Sequence, residues 1–251
     1  MNLNHNCIKR WEPDDFELEM TTHWSFPNRG SWATHDAKWR GNWSPYVVRN
    51  LLLRYSSEKD LILDQFVGGG TTLVEAKLLN RNSIGVDVND LALKRCKEKV
   101  SFEHVGANGE VCIKKGDARD LDFLNNESID FICTHPPYAN IIKYSEDIPS
   151  DLSLLDINPF LEEMKKVASE SYRVLKSGKF CAILMGDTRR KGCIIPMSFE
   201  VMKIFQSVGF TLKEIIIKEQ HNCRATGYWK TNSIKYNFLL IAHEYLFVFK
   251  K

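Results

Sequence analysis

The amino-acid sequence predicts an α/β fold: a mostly parallel, doubly wound sheet with helices on both faces and an antiparallel final strand. Three observations carry that expectation. From residue 61 onward, short apolar or β-branched runs alternate with helical patterns, which is the signature of βαβ units. The last two runs, 211–218 and 238–249, have only a loop between them, which favours antiparallel pairing at one edge. Glycine or aspartate closes successive runs, and open α/β sheets bind ligands beyond the carboxyl ends of their strands.

Taken in order, residues 1–42 lack periodicity and read as a loop-rich N-terminal extension. A helix begins at Ser44-Pro45, with Ser44 as N-cap and the proline at the first helical position, and continues through Val47, Val48, Leu51 and Leu52. Residues 61–66 read as a buried strand running into Gly68, Gly69 and Gly70. The expected order then continues as helix 71–79, strand 83–88, helix 91–100 and strand 111–113. Strand 129–133, helix 160–175, strand 180–185 and helix 198–208, closed by Gly209, follow. No repeat and no Gly/Ser/Pro linker divides the chain, so residues 1–251 read as a single domain.

Composition narrows the class. With 251 residues, 43% hydrophobic and 26% charged, the chain has the make-up of a globular enzyme and excludes a disordered or fibrous one. No window approaches 18 uncharged apolar residues, and the N-terminus is polar and acidic, so neither membrane spanning nor secretion is expected. Seven cysteines without a CxxC spacing argue against a disulfide framework or a structural metal, and fit a reducing cytoplasm. The formal charge of +2 hides an uneven distribution. Residues 28–54 carry Arg29, Lys38, Arg40, Arg49 and Arg54 against Asp36 alone, interleaved with Trp32, Trp39 and Trp43 just after Trp24. Such a mixture suits phosphate contact and base stacking. Alternatively, the tryptophans dock a loop on the core.

The strand ends carry the chemistry. In Asp64-Gln65-Phe66-Val67-Gly68-Gly69-Gly70-Thr71-Thr72, the glycines let the backbone turn sharply and approach a ligand, while Thr71 and Thr72 start a helix whose free N–H groups favour a carboxylate. Asp87, in Gly85-Val86-Asp87-Val88-Asn89, can accept from both hydroxyls of a ribose. Asp117, followed by Ala118, can accept from an adenine amino group. A lone aspartate after a strand is usually a helix cap. Two at successive strand ends after a glycine bend read as a nucleoside site. A nicotinamide dinucleotide is disfavoured because the spacing GxGxxG is absent. His135-Pro136-Pro137-Tyr138 follows the next strand, and its prolines fix an extended turn whose carbonyls face a ligand.

Together these motifs resemble those of S-adenosylmethionine-dependent amino DNA methyltransferases, which modify adenine N6 or cytosine N4. The glycine segment resembles the family's D-P-F-x-G-S-G-T-T loop, with Gln65 for proline and Gly69 for serine. His135-Pro136-Pro137-Tyr138 resembles its catalytic tetrapeptide, which opens with Asp, Asn or Ser. The Ser44-Pro45 helix is similar to the segment that closes over the methionine end of the cofactor. The resemblance covers about residues 43–250 and implies a Rossmann-like class I methyltransferase fold with S-adenosylmethionine as cofactor. It also implies DNA as partner and a base flipped out of the duplex, because a stacked base hides its amine. In the family, the first tetrapeptide side chain and the following carbonyl accept the two N–H groups of the amine, so Pro136 supplies the carbonyl and Tyr138 a stacking platform. His135 departs from the pattern. It accepts only through an unprotonated ring nitrogen, so turnover is expected to fall below pH ~6.5, the free histidine value.

Adjacency nominates further nucleic-acid contacts: Asn140, Lys143 and Tyr144 after the tetrapeptide, Arg189, Arg190 and Lys191 in a mobile loop, and Arg224, Trp229 and Lys230 between the last strands. Within these 251 residues no stretch is expected to form a large target-recognition domain. Target reading is then expected from residues 1–42 and the late loops, or from a second subunit in a homodimer. Adenine is the favoured base, as the commoner target within the resembled family, and a restriction-modification setting is the expected context. The alternative substrate is an RNA base amine, as in tRNA methylation. The alternative to an enzyme is a cofactor-binding relic.

Overall fold

A computed structural model describes residues 8–221 and 226–251. The elements are β1 (His23–Trp24), α1 (Pro45–Tyr55), β2 (Leu61–Asp64), α2 (Thr71–Leu78), β3 (Asn82–Asp87), α3 (Asp90–Val100), β4 (Val111–Lys115), β5 (Ile129–Thr134), α4 (Ile157–Val174), β6 (Leu175–Met185), β7 (Thr188–Arg190), β8 (Cys193–Ile195), α5 (Met197–Ser207), β9 (Thr211–Glu219), α6 (Thr226–Lys235) and β10 (His243–Lys250). Eight strands form one sheet in the order β1-β9-β10-β6-β5-β2-β3-β4. Every pairing in it is parallel except the two made by β10. Along β5, Phe131 and Cys133 face one core cluster while Ile129 and Ile132 face the other, so the strand is buried on both sides. Helices α1 to α3 cover one face, and α4 and α5 the other.

Several expectations need correction. The antiparallel strand is interior, between β6 and β9, rather than at the edge. Its run Leu246-Phe247-Val248-Phe249 is fully buried, whereas β9 carries Lys213, Glu214 and Lys218, residues better suited to a margin. The two-residue β1 lies outside β9. A helix, α6, lies between the last two strands instead of a bare loop. Strand β2 stops at Asp64, because the Phe66 N–H turns back to donate to Asp64 Oδ1 at 3.1 Å. Strand β6 starts five residues early, at Leu175. The basic segment at 186–192 enters a hairpin and is not a bare loop: β7 and β8 are joined by Lys191 (φ 49°) and Gly192 (φ 80°), the two positive-φ residues of a type I′ turn.

The N-terminal segment is a packed strap. Trp24, Trp32 and Trp43 are buried, so the docking alternative holds for three of the four tryptophans. The strap is pinned by Glu75 of α2, itself fully buried, which accepts from Trp32 Nε1 (2.7 Å) and Arg49 Nη1 (3.2 Å) and contacts His35 Nε2 (2.8 Å). Removing the carboxylate leaves a buried guanidinium with no anion in contact on that side. Glu75→Ala is therefore expected to lose about 3–5 kcal/mol in urea unfolding, and a loss below about 1 kcal/mol would exclude the role.

Candidate active site

The chain runs outward from β2 through β3 to β4, and from β5 to β6 on the other side, so the strand order reverses between β2 and β5. Both sequence motifs begin at this reversal. Asp64 closes β2 and Thr134 closes β5, and Thr134 Oγ1 donates to Asp64 Oδ1 at 2.8 Å. Thr72 Oγ1 donates to the other carboxylate oxygen at 2.5 Å. One buried carboxylate therefore ties the glycine bend, the first turn of α2 and the proline corner together. Burial pushes it up to about 6, with the three donors opposing.

Gly68 (φ 46°) turns its N–H onto Asp87 Oδ2 at 2.9 Å, and Asp87 Oδ1 accepts from the Asn89 N–H at 2.9 Å. Asp87 is also pushed up to about 6, chiefly by burial. A Cβ on Gly69 would come within 2.6 Å of the Asn42 amide, so the bare backbone lets the strap lie across the bend. A cleft of about 800 Å³, its open mouth included, runs along these strand ends. Asp64, Phe66, Gly68, Thr71, Asp87, Asn89, Asp117 and Ala118 line it, with His135, Pro136 and Pro137 at its far end.

A second cavity opens past the prolines, about 1200 Å³ with its open side. His135, Pro136, Pro137 and Tyr144 line both spaces, while Tyr138, Gly186, Lys218 and Glu244 line only the second. Tyr138 lies against Gly186, where a Cβ would sit 2.5 Å from the ring. Its hydroxyl donates to Glu244 Oε1 at 2.9 Å and lies 2.6 Å from His135 Nε2. Burial lowers His135 to about 4, and Lys218 adds to the effect while Glu244 opposes it. The expected acid fall in turnover therefore moves from pH ~6.5 to near pH 4, because an imidazolium partly enclosed by the protein loses solvation that sets the free value.

The model of the N6/N4 DNA methylase family matches residues 5–98 and 129–251, which take in both corners. The chain belongs to that family. Relatives match over shorter stretches. The Type II methyltransferase M2.LlaDCHI of Lactococcus lactis subsp. cremoris is 38% identical over 76 residues, 29% of this chain and 28% of its own length. A tRNA (guanine(10)-N2)-dimethyltransferase of Pyrococcus abyssi is 27% identical over 151 residues, 59% of this chain and 37% of its own. The chain thus spans between a quarter and two fifths of these relatives. Among solved structures, an S-adenosylmethionine-dependent methyltransferase of Methanosarcina mazei superposes with a TM-score of 0.57 at 15% identity, over 80% of this chain and 96% of that one, a likeness of fold.

The family's cofactor is S-adenosylmethionine, and the first cleft fits it. Thr71 Oγ1, at the N-terminus of α2, and Asn42 Nδ2 are buried donors on residues that line the cleft, with no hydrogen-bond partner among the described residues. A methionine carboxylate would satisfy them. Asp87 keeps lone pairs for a ribose. Asp117 is already held by Arg119 (2.6 Å), which also grips Glu163, so it reaches an adenine amine only with its remaining lone pairs. Ser44 and Pro45 start α1 and do not line the cleft; their neighbours Asn42 and Trp43 do. Gly70 and Thr72 act one layer back, the first against Cys96 and the second on Asp64. Trp39 and Asn42 carried no motif signal, because only the path of the strap brings them here.

The nominated cations divide. Arg29 is drawn inside, donating to the Trp43 carbonyl at 2.8 Å, and burial lowers it; it is a strut for the strap. Asn140 is occupied by Asp156 (2.6 Å) and Arg190 (2.8 Å). Arg189 donates to the Leu239 carbonyl at 3.0 Å, fixing the hairpin to the segment after α6. Lys38, Arg40, Lys143 and Lys191 are exposed, as are Trp229 and Lys230 on α6. Tyr144 stacks on Trp39 with ring centroids 6.2 Å apart. Arg224 lies outside the described residues.

Proposed function

We propose that the protein transfers the methyl group of S-adenosylmethionine to the exocyclic amine of a base turned out of a DNA duplex, with adenine N6 favoured over cytosine N4. The observation that supports this most is the Thr134–Asp64 hydrogen bond, which brings the cofactor bend and the proline corner into one crevice with a cavity on each side of His135. When bound, the cofactor supplies an electrophilic methyl group on a sulfonium sulfur. The protein's own work is orientation and acceptance. Asp87 would hold the ribose of the cofactor and the α2 N-terminus its methionine carboxylate. The Pro136 carbonyl, which accepts no hydrogen bond among the described residues, and a ring nitrogen of His135 take the two N–H groups of the amine. That draws the nitrogen lone pair out of conjugation with the ring and aims it along the crevice. Trp43 and Tyr144 wall the junction and help exclude water.

Duplex contact falls to exposed cations within two residues of those that line the cavities: Lys38, Arg40 and Lys143, with Lys191 and Lys230 on the neighbouring hairpin and helix. Lys143→Ala and Lys191→Ala are each expected to weaken DNA binding about equally across sequences and to lower the salt-dependence slope by about 1. Unchanged slopes in fluorescence anisotropy would remove that surface. Sequencing DNA from a methylation-free host that expresses the protein tests the reading and identifies the base. A cytoplasmic place in a restriction-modification system, and a homodimer that completes target reading, belong to the same proposal.

An RNA base amine is the second reading, favoured by the longer match to the tRNA enzyme. Labelled methyl transfer to tRNA but not to duplex DNA would select it.

A further inference from the structure

We propose that Glu244 is a positioning residue: acting through the Tyr138 hydroxyl, it holds His135 in the tautomer protonated at Nε2, which leaves Nδ1 bare to accept from the substrate amine. This rests on the reading that His135 receives that amine, and it explains how a histidine can serve where the family uses Asp, Asn or Ser. An oxygen acceptor needs no instruction. A neutral imidazole has one donor and one acceptor nitrogen, and only the second is useful here.

A proton count along the contacts decides which is which. Lys218 Nζ donates to Glu244 Oε2 at 2.9 Å, and the two residues are register partners across β9 and β10, so the sheet itself builds the pair. Lys218 holds Glu244 below the usual glutamate value despite burial, so its carboxylate only accepts. The single hydroxyl proton of Tyr138 therefore points to Glu244 Oε1, 2.9 Å away. The hydroxyl oxygen is left to face His135 Nε2 at 2.6 Å with a lone pair. A contact that short needs a proton between the atoms, and the only remaining source is Nε2–H. The opposite tautomer would turn the hydroxyl toward His135 and set a lone pair against the carboxylate. Nδ1 has no hydrogen-bond partner among the described residues, and His135 lines both cavities.

The test is Glu244→Gln, which keeps shape but offers an amide donor. That donor can serve the Tyr138 oxygen, release the hydroxyl to donate to Nε2 and move the imidazole proton to Nδ1. Two readouts are expected to move together. The ¹⁵N signals of His135 in labelled full-length protein should exchange their protonated and unprotonated assignments. Turnover should fall roughly 100-fold or more, as wrong-tautomer histidines do elsewhere, with KM and cofactor affinity within about two-fold. In a His135→Asn background, whose side-chain oxygen carries no tautomer, the same Glu244→Gln change should alter turnover less than about three-fold. Unchanged ¹⁵N assignments, or an equal loss in both backgrounds, would overturn the proposal. The spectrum needs no substrate. A wild-type protein that methylates neither DNA nor RNA would sink the proposed function, while the spectrum still decides the tautomer.

Discussion

Replacing His135 with leucine is expected to lower turnover by about 10²–10³-fold while leaving cofactor affinity within about two-fold. The magnitude is that of losing one of two preorganised hydrogen-bond partners at a reacting group, with the Pro136 carbonyl still in place. The affinity is spared because the groups that fit the nucleoside and carboxylate, Asp87, Thr71 and Asn42, lie along the first cleft. The wild-type pH profile carries the same information. Tyr138, Glu244, Lys218 and Trp43 surround the imidazole, and burial with Lys218 outweighs Glu244, so the ring is lowered to about 4. Above that value the ring is neutral and one nitrogen can accept from an amine; below it both nitrogens carry protons and would repel the amine N–H groups. Turnover at saturating cofactor should therefore stay flat from pH 5 to 8, with a limb near pH 4 that His135→Asn removes. A limb near pH ~6.5 would mean an imidazole with the free histidine value, open to solvent.

The half of the crevice built from strand ends was legible in the sequence, and the half built by convergence was not. Asp64, Gly68 and Asp87 sit at fixed offsets from strands whose apolar runs are unmistakable, so their place in the fold follows from local pattern. Lys218 and Glu244 lie on the last two sheet strands and meet His135 only because β10 inserts between β6 and β9. Nothing in their spacing announces that. The strap misled in the opposite direction. Arg29 and three tryptophans have the composition of a nucleic-acid surface, yet they bury against α1 and α2, because a segment that rich in aromatic area gains more by docking than by solvation. The Arg189–Leu239 and Arg190–Asn140 bonds show the same limit: a run of cations states charge and says nothing of which acceptors its donors find. The hairpin turn has a local signal in Lys191-Gly192 flanked by short extended runs, and the charge of the segment masks it.

Cofactor affinity should depend on pH through Asp87, and the sign follows from its position. The Gly68 and Asn89 N–H groups each donate to one carboxylate oxygen, the Val88 N–H adds a weaker contact, and the residue lines the cleft. Hydroxyls of a ribose donate to the ionised form and lose that acceptor when it is protonated. Burial raises Asp87 to about 6, so affinity is complete above that pH and weakens as pH falls through it, approaching tenfold per unit. Calorimetry at pH 6 in two buffers of different ionisation enthalpy should show proton release on binding, because a bound ligand favours the carboxylate. Asp64 also lies near 6, but Thr72, Thr134 and the Phe66 N–H already occupy it. Asp87→Asn separates the two: it should flatten the profile between pH 5 and 8, leaving only the Asp64 contribution. Asp87→Ala removes two charge-assisted hydrogen bonds at about 1.5–3 kcal/mol each and should weaken binding at pH 7.5 by at least 100-fold. A loss smaller than about five-fold, with the slope intact, would move the ribose away from β3 and with it the cofactor from the crevice.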